Sequence, residues 1–322
     1  MSETPDKHDL LVSVVVHARN CADIVESFTT ELEQVLSARY TDYEVIFVDD
    51  GSTDMTPQTI EELLQRHDSL RYLRLSRNFG REVSLYAGMQ SAIGDYVVIM
   101  SMQTDPPGLL PDMIDRVVGQ GGILFGECER RLDERGLFRL VKSIFLWISM
   151  HLLRIPLAKN ATQFMVFSRQ ALNAFLEIKD RYRHIRVFTA YIGYTQESFP
   201  YRQVNRGGRI AERSLADSLG TGIRVIFASS SLPLRLMAWA AVVAAFVNLI
   251  VSASFRPGLD PGSTAGLPAA FMFFMLATVL AVQAEYITTL TEETRNRPLY
   301  YVHEEKNSSV LLAARGRKNV TG

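Results

Sequence analysis

Cysteine is scarce in this sequence. Only Cys21 and Cys128 occur in 322 residues, and no ligand spacing or even disulfide framework can be drawn from them. A stapled secreted scaffold and a cysteine metal site are both excluded, and a reduced, cytosolic setting follows for the soluble part. An excess of charge of one sign is missing too. Lys and Arg number 34 against 35 Asp and Glu, so no global field draws the chain to nucleic acid. The first residues, Met1 to Asp9, are polar and charged and lack an apolar h-region, so no cleavable signal peptide is expected. Internal repeats and low-complexity stretches are absent.

Apolar residues are plentiful but unevenly spread. From Leu10 to about Phe125, short β-branched runs alternate with helical segments. Leu11–Val16, Tyr43–Val48, Leu70–Leu75 and Tyr96–Met100 read as strands, and Ile24–Leu36, Thr56–Arg66 and Val83–Ala92 as helices. Continuous apolar strands separated by helices predict an α/β fold, a parallel sheet covered on both faces. Ligands of such sheets sit at the carboxyl ends of the strands. The stretch Gly136–Pro156 is apolar and edged by Arg135, Arg139, Lys142 and Arg154; a bilayer-surface helix and a core-facing helix fit it equally.

The last third carries two uncharged runs. Leu236–Phe255 is 20 residues long, about 30 Å as a helix, and Leu267–Ala284 is 18, roughly 27 Å; each is long enough to span a hydrocarbon core. Arg256–Gly266 between them is a glycine- and proline-bearing hairpin. Arg235 precedes the first run and Arg295 and Arg297 follow the second, which puts both chain ends in the cytosol. The expected organisation is a polar tail over 1–9, an α/β domain over 10–213, a juxtamembrane helix over 214–231 and spans at 232–255 and 267–290. The spans enclose an extracytosolic loop over 256–266, and a cytosolic tail covers 291–322. Glu285 falls at the inner edge of the second span.

Two strand ends carry the chemistry. Asp49-Asp50-Gly51-Ser52-Thr53-Asp54 closes the second strand, making a tight turn and a helix cap, and offers carboxylate acceptors to a base or ribose. Alone it is as readily a cap as a site. Arg77-Asn78-Phe79-Gly80-Arg81 follows the third strand, where two guanidiniums around a glycine suit a pyrophosphate. The two patterns in order, each after a strand, strengthen one another.

Val12–Asn20, Val48–Asp54, Ser76–Gly88 and Gly94–Pro107 resemble the successive motifs of family 2 glycosyltransferases. Ser76–Glu82, Glu285-Tyr286 and Arg297–Tyr300 narrow the resemblance to the polyprenyl-phosphate subgroup, similar to dolichol-phosphate mannosyltransferase and undecaprenyl-phosphate glucosyltransferases. It covers about residues 10 to 305. It implies a GT-A fold, a nucleotide-diphospho-sugar donor, a polyprenyl-phosphate acceptor, inversion at the sugar carbon and a multi-pass place in the inner (cytoplasmic) membrane with the catalytic-type domain in the cytosol. Homo-oligomerisation is left open. It also implies Mg²⁺ or Mn²⁺ on the donor diphosphate. By the resemblance Asp50 contacts the base, with Asp49, Gly51, Arg19, Arg77, Gly80 and Ser101 around the donor. Asp105, Gln103 and Arg81 are the candidate catalytic residues.

The chain departs from the family where charge matters. The family ends the fourth strand with Asp-Ala-Asp or similar; here Met100-Ser101-Met102-Gln103-Thr104-Asp105 stands instead. Ser101 and Gln103, or Met100 and Met102, replace the acids, depending on the alignment. No metal ligand is therefore assigned. Gln163 and Met165 stand where the family has an acid and an arginine, and His17-Ala18-Arg19-Asn20 where it has a Pro and a Tyr. An active transferase and a silent relative that binds nucleotide-sugar, lipid or a partner without turnover both fit this pattern.

Overall fold

A computed structural model describes residues 8–128, 161–178, 185–189, 192–207, 238–247, 250, 266–294 and 298–308. The expected helices over 136–156 and 214–231, residues 256–265 of the expected hairpin, and Arg235, Arg295 and Arg297 lie outside these residues. The chain divides into two compact units, one of Met1–Met150, Ile155–Arg213 and Pro298–Gly322, the other of His151–Arg154 and Ser214–Arg297.

The first unit is a single eight-stranded sheet with helices on both faces. The strands are β1 (His8–Ala18), β2 (Tyr40–Asp49), β3 (Leu70–Leu75), β4 (Tyr96–Met100), β5 (Ile123–Cys128), β6 (Ala161–Ser168), β7 (Gln196–Tyr201) and β8 (Val302–Asn307), in the order β7-β5-β6-β4-β1-β2-β3-β8. The central block β4-β1-β2-β3 is parallel throughout. β6 runs antiparallel to β4 and β5, β5 pairs parallel with β7, and β8 runs antiparallel along β3. This is the Rossmann-like, mostly parallel sheet expected under the GT-A name.

The helices follow from the same pattern. Helix α1 (Ala22–Arg39), α2 (Thr56–Arg66) and α4 (Leu110–Gln120) cover one face, and α3 (Arg81–Ser91) and α5 (Arg169–Leu176) the other. A four-residue α6 (Ile185–Phe188) joins the second face. Strand β1 shows why its run is continuous rather than alternating: Val12, Val14 and Val16 enter the first core and Val15 the second. Both sides of a central parallel strand are buried, so the run is almost wholly apolar, with buried Ser13 bonded to Glu44.

Helix α3 lies unusually close to the sheet at Gly88. A Cβ there would stand 2.4 Å from Val15 Cγ1 and 2.8 Å from Val48 Cγ2. At the opposite end of the sheet from the loops described below, the buried Glu44 accepts from Ser13 Oγ (2.5 Å), Ile93 N (2.8 Å) and Arg71 Nη1 (2.8 Å), satisfying a charge that would otherwise be costly to bury.

Residues 302–307, read from sequence as part of a polar tail, are a strand of the sheet. Backbone pairing to Arg71–Leu75, Arg71 to Glu305 (3.0 Å) and Lys306 to Glu61 (2.9 Å) hold it.

The second unit contains α7 (Ala238–Val247) and α8 (Gly266–Thr294). Helix α8 has 29 residues, about 44 Å. Its window Phe271–Thr288 is the one described segment long and apolar enough to cross a membrane. The expected first span is described only as the shorter apolar α7, so two spans are not established by the described helices.

Gly88→Ala is expected to destabilise the purified protein by about 1–3 kcal/mol, since the added methyl must push two packed valines aside. A drop in thermal midpoint for Gly88→Ala beside an unchanged Gly119→Ala, where nothing lies within 4 Å, is the measurement that checks it.

Candidate active site

The carboxyl ends of β1 to β4 converge on one edge of the sheet, and their turns are tied to one another. Asp50 N donates to Ala18 O (3.0 Å). Asn20, at a positive φ of 46°, accepts from Thr53 N through Oδ1 (2.9 Å), and its own N–H donates to Ser52 Oγ (3.1 Å). Cys21 N donates to Thr56 Oγ1 (2.8 Å). Burial pushes the Cys21 thiol up to about 11, leaving it a packed group and no nucleophile.

Asp49 and Asp50 are neighbours with different tasks, and both are fully buried. Asp49 Oδ1 accepts from Ser52 N (2.8 Å) and Ser52 Oγ (2.5 Å), and Oδ2 from Tyr72 OH (2.8 Å). Its carboxylate closes the β2–α2 turn from within. Asp50 faces the next loop: Oδ1 accepts from Phe79 N (2.7 Å) and Oδ2 from Gly80 N (3.0 Å). Burial works to raise its pKa, but His17 and the two backbone donors outweigh it and hold the carboxyl below the usual range.

His17 Nε2 lies 3.6 Å from Asp50 Oδ2, beyond hydrogen-bond distance. Burial, opposed by Asp50 and reinforced by the charges of Arg81 and Arg19, holds the imidazole below its ordinary pKa.

Gly51 completes the bracket. Its φ is +67°, and a Cβ would sit 2.8 Å from Arg77 C and 2.9 Å from Asn78 N. Glycine is required here twice, by conformation and by the backbone pressed against it. The loop so held carries Arg77 outward over the Phe79 ring, 4.5 Å from the centroid. Arg19 and Arg77 are exposed, and neither has a carboxylate partner among the described residues. Gly80, at φ +94°, turns the chain into α3, whose first residue is Arg81.

The β4 end is locked from behind. Asp105 is buried; its Oδ2 accepts from Ser101 N (2.8 Å), and its Oδ1 lies at hydrogen-bond distance from Thr104 Oγ1 (3.1 Å) and Tyr201 OH (2.7 Å). Arg206 donates to Met102 O (3.1 Å) and Asp105 O (2.7 Å) while pairing with Glu31 (2.9 Å). Burial raises the Asp105 pKa against the opposing pull of Tyr201, Ser101 N and the charge of Arg81.

Ser101 is also buried and Gln103 half-buried. Gln163, on β6, donates to Glu82 Oε1 of α3, and Glu82 Oε2 accepts from Ile185 N (3.1 Å). Met165 is in the core.

The structure thus brings together Arg19, Asp50, Gly51, Arg77, Gly80 and Arg81. It turns Asp49 and Asp105 inward as turn scaffolds. Asp50, implied by the resemblance as a contact for the base, here accepts from Phe79 N and Gly80 N and brackets the Arg77–Gly80 loop. His17, Tyr201 and Arg206 were not foreseen as site residues. His17 alone had a signal, as part of the stretch that departs from the family motif at the end of the first strand.

The residues do not fit a divalent ion. Hard ions need free oxygen ligands, but both oxygens of Asp49 and of Asp105 are engaged, and Ser101 and Gln103 bring no charge. Among the described residues no group of three or more His, Cys, Asp or Glu gathers to hold a metal.

The family model for glycosyl transferase family 2 matches residues 13–179. The chain belongs to glycosyl transferase family 2 and is a glycosyltransferase. Relatives match along nearly the whole chain. An uncharacterised glycosyltransferase of Synechocystis is 26% identical over 301 residues, covering 91% of this chain and 95% of the relative. A bactoprenol glucosyl transferase of Shigella phage SfV is 22% identical over 307 residues, 92% of this chain and 99% of the relative. Among solved structures, glucosyl-3-phosphoglycerate synthase from Mycobacterium tuberculosis, in complex with Mn²⁺, UDP-glucose and phosphoglyceric acid, is 16% identical with a TM-score of 0.47. That match covers 68% of this chain and 78% of that one.

The inward role of Asp105 has a pH signature. Its folded pKa is raised, so the folded state holds the proton longer than the unfolded chain. Stability from this group is therefore full below the ordinary carboxylate range and is lost as pH rises toward the raised value. Asp105→Asn is expected to flatten that part of the thermal-midpoint profile, just above the ordinary carboxylate range. A variant profile parallel to that of the original protein would contradict it.

Proposed function

We infer that the chain transfers a sugar from a nucleotide-diphospho-sugar to the phosphate of a polyprenyl carrier, with inversion, at the cytosolic face of the cytoplasmic membrane. The carrying observation is the charge layout at the strand ends: carboxylates turned inward, Arg19 and Arg77 exposed and Arg81 half-buried beside them. A phosphate acceptor is already anionic, so it needs positioning rather than a general base. Its oxygen attacks the anomeric carbon, the bond from that carbon to the diphosphate oxygen breaks, and the nucleoside diphosphate departs. No proton has to move. Arg19, Arg77 and Arg81 are suited to stabilise the leaving diphosphate. The similarity to a bactoprenol glucosyl transferase supports the lipid acceptor.

Topology supports the membrane setting. Strand β7 ends at Tyr201 and β8 begins at Val302, yet both belong to one hydrogen-bonded sheet. Any membrane crossed between them is crossed an even number of times. If α8 is one span, the return needs another, and the uncharged run Leu236–Phe255, which contains α7, is long enough to supply it. Both sheet-bearing segments then lie on the cytosolic side, as the flanking arginines suggest.

A second reading, a relative that binds without turnover, is favoured by one observation: Gln163 occupies the expected acid position and is spent on Glu82. Incubating the purified chain with radiolabelled nucleotide-sugars and a polyprenyl phosphate separates the two. Label in the lipid extract is the expected result, and its absence with every donor supports the silent reading. A reporter fused at residue 260 is expected outside the cytosol and one at residue 315 inside; a cytosolic reporter at 260 would remove the hairpin.

Donor binding is expected to be nearly independent of Mg²⁺ and Mn²⁺. Arg81→Ala should weaken it by about 1–3 kcal/mol, the scale of a lost charged hydrogen bond, and by more than a chelator does. Calorimetry with and without EDTA decides this. A chelator that abolishes binding while Arg81→Ala preserves it reverses the assignment.

A further inference from the structure

The segment that follows α8 does more than return the chain. Leu299 and Tyr300 pack on the same apolar cluster as α3, and Tyr300 OH donates to Gln90 Oε1 (2.9 Å). Tyr301 O accepts from Ser76 N (2.9 Å), at the root of the loop that carries Arg77. The Tyr301 ring lies against Phe79, centroids 6.5 Å apart and tilted by 44°, while Arg77 covers the same Phe79 ring. Three side chains therefore form a row, Tyr301, Phe79, Arg77, and the first comes from the chain segment after the apolar helix, which ends at Thr294.

The loop itself is fixed at Phe79 N and Gly80 N by Asp50 and at Arg77 and Asn78 by Gly51. These contacts fix its backbone. They leave the Phe79 ring, and so the guanidinium resting on it, to be set by whatever packs beside that ring. Tyr301 is 54% exposed, far more than core packing alone requires of an aromatic.

We propose that Tyr301 is a positioning residue for the diphosphate site: through Phe79 it sets the placement of Arg77, and so makes donor affinity depend on the segment that returns from the apolar helix. This rests on the nucleotide-diphosphate reading of the site. The ligand class is unchanged; what is added is the residue that aims the outward cation, and the fact that it follows the helix read as a membrane anchor.

The test is a double-mutant cycle on the full-length protein in detergent, with UDP and GDP each titrated by calorimetry. Tyr301→Ala is expected to weaken binding roughly three- to tenfold, the scale of an aromatic pair. Tyr301→Phe is expected to bind like the original protein. Tyr301→Leu, which keeps apolar bulk without a ring, is expected to behave like Tyr301→Ala and guards against loss through poor packing. In an Arg77→Ala background, adding Tyr301→Ala is expected to change affinity by no more than about twofold, because the group it aims is gone.

Unchanged binding for both Tyr301→Ala and Tyr301→Leu overturns the proposal. So do losses that multiply in the double variant, which would make Tyr301 a separate contact or a merely structural one. If the original protein binds neither diphosphate, the nucleotide reading of the site falls and this proposal with it.

Discussion

Two hydrogen bonds from Phe79 N and Gly80 N to one buried carboxylate hold this site in shape. Asp50 sits at the end of β2 and the loop it grips follows β3, so the pair ties adjacent strand ends that share no ladder bonds at this level. A buried carboxylate with two backbone donors is stable as an ion, and each donor satisfied by charge is stronger than a neutral pair. Gly51 makes the grip possible by letting the two backbones touch. The outward aim of Arg77, the turn at Gly80 and the start of α3 with Arg81 all follow from that contact. Replacing Asp50 would leave two backbone N–H groups without their acceptor, and the loop would have no reason to keep its path.

The parallel block was legible because its physics is local. A strand buried on both faces carries a mostly apolar run, and Leu70–Leu75 and Tyr96–Met100 end where the reading placed them; α2 spans Thr56–Arg66 as expected. The order of the motifs, each after a strand, was equally readable. Strand β8 was not. His303, Glu304, Glu305 and Lys306 show no apolar alternation, since an edge strand paired on one side and wet on the other is held by its backbone and by charge pairs. Its pairing with a strand more than 200 residues earlier leaves no local trace.

The site was half legible for a related reason. Residue types identified the turns, but only coordinates separate a carboxylate that faces a ligand from one that faces its own turn. Asp49 and Asp50 are adjacent and chemically identical, yet one closes its own loop and the other closes its neighbour's. Asp105 looked like the last acid near the diphosphate. Tyr201, almost a hundred residues on, claims it from behind, and nothing near position 105 announces that partner.

These assignments change how charge is managed at the strand ends. In an acid-rich donor site, carboxylates hold a cation and the cation holds the phosphates. Here the three nearby carboxylates are spent on backbone and hydroxyl donors, while Arg19 and Arg77 stand exposed and Arg81 exerts its charge on both His17 and Asp105. Removing two acids and the ion they would carry removes opposite charges together, so the edge can still present a positive face provided its arginines are held in place. A guanidinium on a flexible stem is a weaker device than a coordinated ion unless its rotamers are restricted. The restriction visible here is the Phe79 ring beneath Arg77, flanked by Tyr301 and carried on a backbone that Asp50 holds. A site that used side chains in place of an ion would have to fix them, and the contacts around the Arg77–Gly80 loop hold its backbone.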